Sequence, residues 1–181
     1  MLSVDKTNTP EEIVDVVDEN DQVIGQATKG EVNSNPKLIH REISVLIYDD
    51  NRRVLLQKRS RKKKTHPLYW IISVAGHIPT GMTPELSAHK ELTEELGFDT
   101  SLLLYEKILL RFPNETHFCY SYVGKLPPGT QIKLDPNEAE DFRFVNAAEL
   151  QKMINTREKV EETSLADFQK FFEGDLNGFI S

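Results

Sequence analysis

The chain has 181 residues, 28% of them charged and 38% apolar, and this ordinary mix predicts one globular domain over residues 1–181. The net charge of −7 gives no support for binding to nucleic acid or to an anionic membrane surface. Cys119 is the only cysteine, so no internal disulfide forms. No apolar stretch is long enough to cross a membrane, and the acidic N-terminal segment contains no apolar signal region, so we expect a cytoplasmic protein.

The first half of the chain predicts strands joined by polar turns. We expect residues 1–10 to form a loose end. Two apolar runs around a polar turn predict a hairpin over 13–29, and β-branched runs around an Asp- and Asn-rich turn predict a second over 41–59. A basic loop over 58–70 precedes a short apolar strand over 71–75.

A helix with clear start and stop signals follows this strand. Thr83 is placed to cap its first turn, and Gly97 is placed to end it. Ala88, Leu92 and Leu96 recur every four residues and predict a buried stripe.

The remainder of the chain predicts three strands and then two helices. The strands are expected at 102–112, 116–126 and 141–145, and the helices at 147–154, capped by Asn146, and 165–174, capped by Ser164. Many strands with interspersed helices indicate an α+β domain.

Three glutamates lie together near the C-terminal end of the helix predicted between Thr83 and Gly97. Glu91, Glu94 and Glu95 stand at i, i+3 and i+4, where like charges repel by roughly 0.2–0.5 kcal/mol per pair. The helix macrodipole also disfavours anions at this end. A solvated acidic face and a cation site are both compatible with this pattern. As hard oxygen ligands, the glutamates would suit Mg²⁺ or Mn²⁺.

The segment from Gly76 to Phe98 resembles the Nudix box, G-x5-E-x7-R-E-U-x-E-E-x-G-U. The positions filled in register are Gly76, Glu91, Leu92, Glu94, Glu95, Gly97 and Phe98. Met82 replaces the first glutamate of the box and Lys90 replaces its arginine, so a carboxylate and a planar guanidinium are lost.

This resemblance implies a Nudix-like α/β/α sandwich with a mixed β-sheet and the Nudix loop-helix. It also implies a Mg²⁺- or Mn²⁺-dependent hydrolase acting on a small diphosphate, such as a nucleoside diphosphate derivative. Glu91, Glu94 and Glu95 would hold the metal beside Gly76, and Glu94 or Glu95 would serve in catalysis. A homodimer is compatible with this expectation.

Upstream segments also resemble isopentenyl-diphosphate isomerase, a Nudix relative. The isomerase carries its catalytic cysteine five residues after the tryptophan that corresponds to Trp70, and that position is Ala75 here. One of its metal-binding histidines matches His40, whereas the partner seven residues earlier is Asn33. We therefore expect an isomerase-like hydrolase. The alternatives are an isomerase, disfavoured by Ala75, and a non-catalytic Nudix module with a weakened box.

The same comparison suggests further site residues. Arg59, Lys63 and Lys64 fall where the isomerase grips diphosphate, and Lys29 is a further candidate, although a solvated basic loop would look similar. Other candidates are His77 and Glu115 with His117 at metal-binding positions of the isomerase, and Glu138 as a catalytic or metal-binding glutamate of the hydrolases.

Overall fold

The computed structural model describes residues 11–174 and 176–179. Within these ranges, nine strands form one mixed sheet and four helices accompany it. In chain order the elements are β1 (Ile13–Val17), β2 (Val23–Thr28), α1 (Lys29–Val32), β3 (Ile39–Tyr48), β4 (Val54–Arg59), β5 (Trp70–Ile71), β6 (Val74–His77), α2 (Pro84–Leu96), β7 (Leu102–Arg111), β8 (Thr116–Lys125), β9 (Ala139–Val145), α3 (Ala147–Asn155) and α4 (Glu162–Glu173). The loose end expected over 1–10 lies outside the described residues.

Strand β3 is the centre of the sheet. It pairs in parallel with β8 along its whole length and in antiparallel fashion with β6, while β1 and β4 pair with its two ends. Strand β9 extends the sheet beside β4, and β7 extends it beside β8. Both predicted hairpins are present, although β3 and β4 pair only at the turn, through Tyr48 and Val54.

The two faces of β3 bury different helices, because side chains alternate along a strand. Ile43 and Val45 pack in one core cluster with the apolar stripe of α2. Leu46 and Tyr48 pack in another with Phe168 of α4 and with residues of α3. The α/β/α sandwich with a mixed sheet is therefore confirmed.

Local signals in the sequence predicted the start and the end of α2 correctly. Thr83 accepts a hydrogen bond from the Leu86 amide, Pro84 is the first helical residue, and Gly97 ends the helix at a φ of 76°. The Asn146 cap of α3 is also confirmed, as a capping box with Glu149.

The strand predicted over 71–75 is instead split into β5 and β6. Ser73 lies at the break, and its hydroxyl accepts a hydrogen bond from the Ile47 amide at 2.9 Å and donates one to the Leu55 carbonyl at 2.7 Å. The segment therefore bridges β3 and β4 where these strands diverge. As a result, β5 pairs with β4 and β6 pairs with β3.

The predicted cap of the last helix was wrong. Helix α4 begins at Glu162 and is capped by Glu161, whose carboxylate accepts hydrogen bonds from the Thr163 and Ser164 amides. Ser164 instead accepts a hydrogen bond from the Ile72 amide, at 2.9 Å, and so fixes α4 to the segment between β5 and β6. No helix in the described part of the chain has the length and apolar character needed to cross a membrane.

Candidate functional site

The last turns of α2 hold Glu91 and Glu95 in different surroundings. Glu95 is buried, and its carboxylate accepts a 2.7 Å hydrogen bond from Gln57 Nε2. Glu91 is half-buried and packs over Gly76, where an added Cβ would lie 3.4 Å from its carboxyl carbon. A glycine at position 76 therefore lets the carboxylate approach strand β6 closely.

Lys90 partly compensates the charge of this helix. Its ammonium donates to Glu91 at 3.0 Å and to the exposed Glu94 at 2.7 Å. Partial burial acts to lower the pKa of Lys90, but the hydrogen bonds to Glu94 and Glu91 outweigh it and raise that pKa above its usual range. These contacts offset part of the like-charge repulsion expected from the sequence.

Glu95 is the electrostatic centre of a larger group of charges. Burial, and then the like charges of Glu138 and Glu91, raise the pKa of Glu95 to about 8, while Lys63 and Arg59 act in the opposite direction. Three carboxylates and two cations from separate segments of the chain are thus close enough for their charges to shift the pKa of Glu95.

Two loops carry the more distant members of this group. The Asp135 amide donates to the Glu95 carbonyl at 3.1 Å, and the Ser60 amide donates to the Glu138 carbonyl at 2.8 Å. These contacts hold the segment before β9 between α2 and the basic loop. The Lys63 ammonium forms an ion pair with the Glu138 carboxylate.

The other predicted cations are arranged differently. Arg59 braces its own loop by donating from Nε to the Thr65 carbonyl at 3.0 Å. Lys64 is exposed. Lys29 pairs with Glu12 at 3.4 Å, and its charge contributes to lowering the pKa of His77, in a separate cluster on the opposite face of the sheet.

That second cluster joins histidines and carboxylates from β3 and β8. His40, Glu42, Glu115 and His117 each offer a ligand atom, and these atoms all lie within 4.8 Å of one another. His40 and His117 are directly opposite in the parallel pair, and Glu42 follows His40 on the same face of β3. Glu115 immediately precedes β8.

His77 joins this cluster from strand β6. Its Nε2 lies 3.2 Å from Glu42 Oε1 and 2.8 Å from Asn33 Oδ1. Its ring stacks on the ring of His40, with centroids 5.0 Å apart. Asn33 thus orients His77 from the position where the isomerase comparison expects a further histidine.

Burial prepares these side chains as ligands. It lowers the pKa of His77 to about 4 and also lowers the pKa of His117, so both rings are neutral near pH 7. Burial acts to raise the pKa of Glu42, but the histidines around it outweigh this and hold its pKa well below the usual range. Neutral imidazoles and an ionised carboxylate are the forms that bind metal ions.

The donor set fits a divalent cation. Within the described residues, the Nδ1 atoms of His40 and His117 are buried without a hydrogen-bond partner, which is rare for polar atoms. Mixed imidazole and carboxylate ligands suit Mn²⁺ or Zn²⁺, whereas the all-carboxylate group on α2 suits Mg²⁺ or Mn²⁺. The sequence analysis did not identify Glu42. The available signal was a carboxylate two positions after His40, which the alternation of a strand places on the same face.

The two clusters lie on opposite faces of β6. Val74 packs in the core cluster of α2, whereas Ala75 packs in that of α4. By strand alternation, Gly76 faces Glu91 on the α2 side and His77 faces the histidine cluster on the other.

Residues 38–168 match the model of the NUDIX domain family. The chain belongs to the Nudix family. The crystal structure of the protein DR0079 from Deinococcus radiodurans has a similar fold, with a TM-score of 0.71 at 18% identity, covering 93% of this chain and 100% of the other.

Two curated relatives differ in the activity that their names state. An isopentenyl-diphosphate isomerase of Photorhabdus laumondii is 33% identical over 150 residues, covering 80% of this chain and 83% of the relative. An uncharacterised Nudix hydrolase of Listeria monocytogenes is 28% identical over 144 residues, covering 80% of this chain and 85% of the relative. This Nudix chain is thus similar to proteins of both kinds, and the isomerase is the more similar of these two relatives.

The residue that separates the two activities in the sequence analysis lies beside the histidine cluster. Ala75 is half-buried and pairs with Ser44, two residues beyond Glu42 on β3. The chain's single thiol, Cys119, lies opposite Glu42 on the same face, with its Sγ 3.6 Å from Ser121 Oγ. Burial raises the pKa of Cys119 to about 11, so the thiol is protonated near pH 7.

Proposed function

We propose that this Nudix protein is a divalent-metal-dependent hydrolase that cleaves a diphosphate linkage. The observation that carries this proposal is the group of Glu91, Glu95 and Glu138 beside Lys63 and Arg59. Carboxylates hold a hard cation, and a cation bound here would displace the proton that the raised pKa of Glu95 retains near pH 7. Adjacent cations hold the phosphates that the metal ion accompanies. A small diphosphate would be the partner of this site, and the predicted homodimer stays a prediction.

Each member of the group has a separate task in this proposal. Gln57 holds the Glu95 carboxylate in place, and the open backbone at Gly76 gives Glu91 its position. Lys63 would leave Glu138 for the more highly charged diphosphate, freeing Glu138 to accept a proton from water. A divalent cation, when bound, would polarise a phosphoryl oxygen and activate the attacking water.

The predicted roles of Glu94, Lys64 and Lys29 are weaker within this proposal. Glu94 and Lys64 are exposed, and Lys29 belongs to the surroundings of His77. Glu94 reaches the site only through Lys90, which also bonds Glu91. We therefore rank Glu95, Glu91 and Glu138 above Glu94 as functional residues.

The test is cleavage of nucleoside diphosphates, nucleotide sugars and dinucleotides in the presence of Mg²⁺ or Mn²⁺, with chromatographic detection of the phosphate-containing products. Glu95→Gln should lower kcat by about 100-fold or more, because transition-state stabilisation is lost. Glu85→Gln, an exposed change in the first turn of the same helix, is the matched control and should leave kcat unchanged. Equal activity of Glu95→Gln and wild type would refute the proposal.

A second candidate, isopentenyl-diphosphate isomerase, is favoured by the assembled histidine cluster and by the names of similar proteins. Isomerisation requires a group that exchanges a proton with carbon, and the methyl group of Ala75 cannot do so. Cys119 is the thiol on the correct face for that role.

Incubation with isopentenyl diphosphate and Mg²⁺ or Mn²⁺ separates the two candidates. We expect no dimethylallyl diphosphate from wild type or from Ala75→Cys, because the histidine replaced by Asn33 is still missing in that variant. Turnover by wild type that is lost in Cys119→Ser would establish the isomerase instead.

A further inference from the structure

Lys90 lies within the carboxylate cluster of α2. Its ammonium donates a 3.0 Å hydrogen bond to Glu91 and a 2.7 Å hydrogen bond to Glu94. It thus bridges two carboxylates from adjacent turns of the helix, which is also the arrangement expected of a bound cation. The tasks proposed above for the carboxylates and the loop cations leave Lys90 without a role.

Glu91 depends on this contact. Its side chain is only 16% exposed, and within the described residues the Lys90 ammonium is its one hydrogen-bond partner. An ionised carboxylate with so little access to water requires a partner of opposite charge. Either an ammonium or a metal ion can supply that charge, and the two cations repel each other when both are present.

A lysine is suited to leave this position. Its ammonium is a compact charge on a flexible stem of four carbons. The Lys90 side chain is 38% exposed, so an ammonium that withdraws from Glu91 enters water rather than the protein interior. While the ammonium stays bound, its charge opposes the binding of a divalent cation at Glu91.

The other carboxylates of the group also have partners within the protein. The Glu138 carboxylate is paired with Lys63, and the Glu95 carboxylate accepts a hydrogen bond from Gln57. Lys63 belongs to the basic loop, whereas Lys90 belongs to the helix that carries the carboxylates. A diphosphate would therefore attract Lys63, whereas Lys90 competes with the metal ion itself.

We propose that Lys90 is an internal counter-ion that limits the affinity of the α2 carboxylates for Mg²⁺ or Mn²⁺. Its ammonium holds Glu91 and Glu94 together in the metal-free protein, and it must leave Glu91 before a metal ion binds there. This inference rests on the metal site of the proposed hydrolase and concerns how the protein's own charge regulates that site.

Titration with Mn²⁺, followed by electron spin resonance of the unbound ion, tests the inference without requiring hydrolysis. Lys90→Met removes the charge and keeps an unbranched side chain. Because water screens a partly exposed ammonium, the variant should bind Mn²⁺ about 10-fold more tightly than wild type, rather than by a larger factor. Lys90→Arg keeps the charge and should stay within about 2-fold of wild type.

A matched control removes a paired lysine elsewhere. Lys125, the last residue of β8, pairs with the exposed Asp50 at 3.1 Å. Lys125→Met changes the net charge by the same amount as Lys90→Met, but it should leave Mn²⁺ affinity unchanged, because salt screens charges over such distances.

Double variants assign the change to α2 rather than to the histidine cluster. The gain from Lys90→Met should disappear when it is combined with Glu95→Gln, which removes a ligand on α2. The gain should persist when Lys90→Met is combined with Glu42→Gln, which alters the histidine cluster.

Thermal unfolding provides a second measurement. Without metal, Lys90→Met should have a lower Tm than wild type, because Glu91 and Glu94 lose the charge between them. At the same concentration of Mn²⁺, the Tm of Lys90→Met should rise by more than that of wild type, because tighter binding to the folded state stabilises it more.

Equal or weaker Mn²⁺ binding by Lys90→Met than by wild type would overturn the inference. Weaker binding would show that the ammonium positions the carboxylates for the metal ion instead of competing with it. The outcome for the proposed hydrolase is separate. Tighter Mn²⁺ binding by Lys90→Met without cleavage of any diphosphate would retain the counter-ion and reject the hydrolase, whereas cleavage with unchanged Mn²⁺ binding would do the reverse.

Discussion

Gly97→Ala probes the joint between α2 and the loop that carries Glu138. Gly97 ends the helix at a φ of 76°, a backbone conformation that residues with a side chain adopt reluctantly. An added Cβ would lie 2.9 Å from Lys133 Cβ. Lys133 cannot swing away without moving its backbone, because its amide donates to the Leu96 carbonyl at 2.9 Å.

Two contributions set the size of the effect. The left-handed backbone costs an alanine about 1–2 kcal/mol, and a forced contact against backbone-near atoms costs about 1–3 kcal/mol. Reduced entropy of the unfolded chain returns about 0.4–1 kcal/mol. The free energy of unfolding should therefore fall by about 2–4 kcal/mol, which for a chain of this length lowers Tm by about 5–15 °C.

Urea unfolding and thermal scans measure this loss, with Gly129→Ala as the matched control. Gly129 has nearly the same φ, 77°, but no atom lies within 4 Å of an added Cβ. The control should therefore lose only the backbone contribution, about 1 kcal/mol. Equal losses in the two variants would show that the Lys133 contact costs nothing and would refute the reasoning about this joint.

Two further predictions concern half-buried carboxylates. Burial raises the pKa of Asp167 from 3.8 to about 6, so the stability this group contributes is fully present below pH 4 and is lost as the pH rises through 6. Asp167→Asn keeps an acceptor for the Tyr105 hydroxyl. In urea titrations the variant should raise the free energy of unfolding by about 1–3 kcal/mol above pH 7, but not at pH 4. The same gain at both pH values would contradict this prediction. Glu42→Gln should weaken Mn²⁺ binding about 10-fold or more, measured by electron spin resonance of the unbound Mn²⁺ in a titration, whereas Glu85→Gln should not. Equal affinities of wild type and Glu42→Gln would show that Glu42 is not a metal ligand.

Elements with local end signals were predictable, and those defined by distant contacts were not. The bounds of α2 follow from Thr83 and Gly97, whose side chain and backbone conformation act within the helix itself. The break between β5 and β6 depends on Ser73, which fills a gap between two strands that precede it in the chain. Ser164 resembles a cap in the sequence, but its hydroxyl serves Ile72 instead.

The residues of the candidate site likewise fall into those predictable from local spacing and those defined by distant contacts. The spacing on one helix suggested Glu91, Glu94 and Glu95 as one group, whereas only the fold shows that Glu95 is buried and Glu94 is exposed. Glu42 was overlooked because its importance depends on β6 and β8 bringing His77 and His117 to either side of it. Strand partners of this kind are far apart in the chain, so the alternation within β3 alone does not reveal them.

The four residues of β6 relate the two candidate reactions to each other. Gly76 faces the carboxylates of α2, which hydrolysis would use, whereas Ala75 faces the side that carries the histidine cluster and Cys119. A hydrolase needs no proton-exchanging group at position 75, so alanine is compatible with it. An isomerase would have to use a thiol from β8 in place of one from β6. Because each reaction depends on groups from a different face, Glu95→Gln and Cys119→Ser should each abolish at most one activity, and the variant that loses turnover identifies the reacting face.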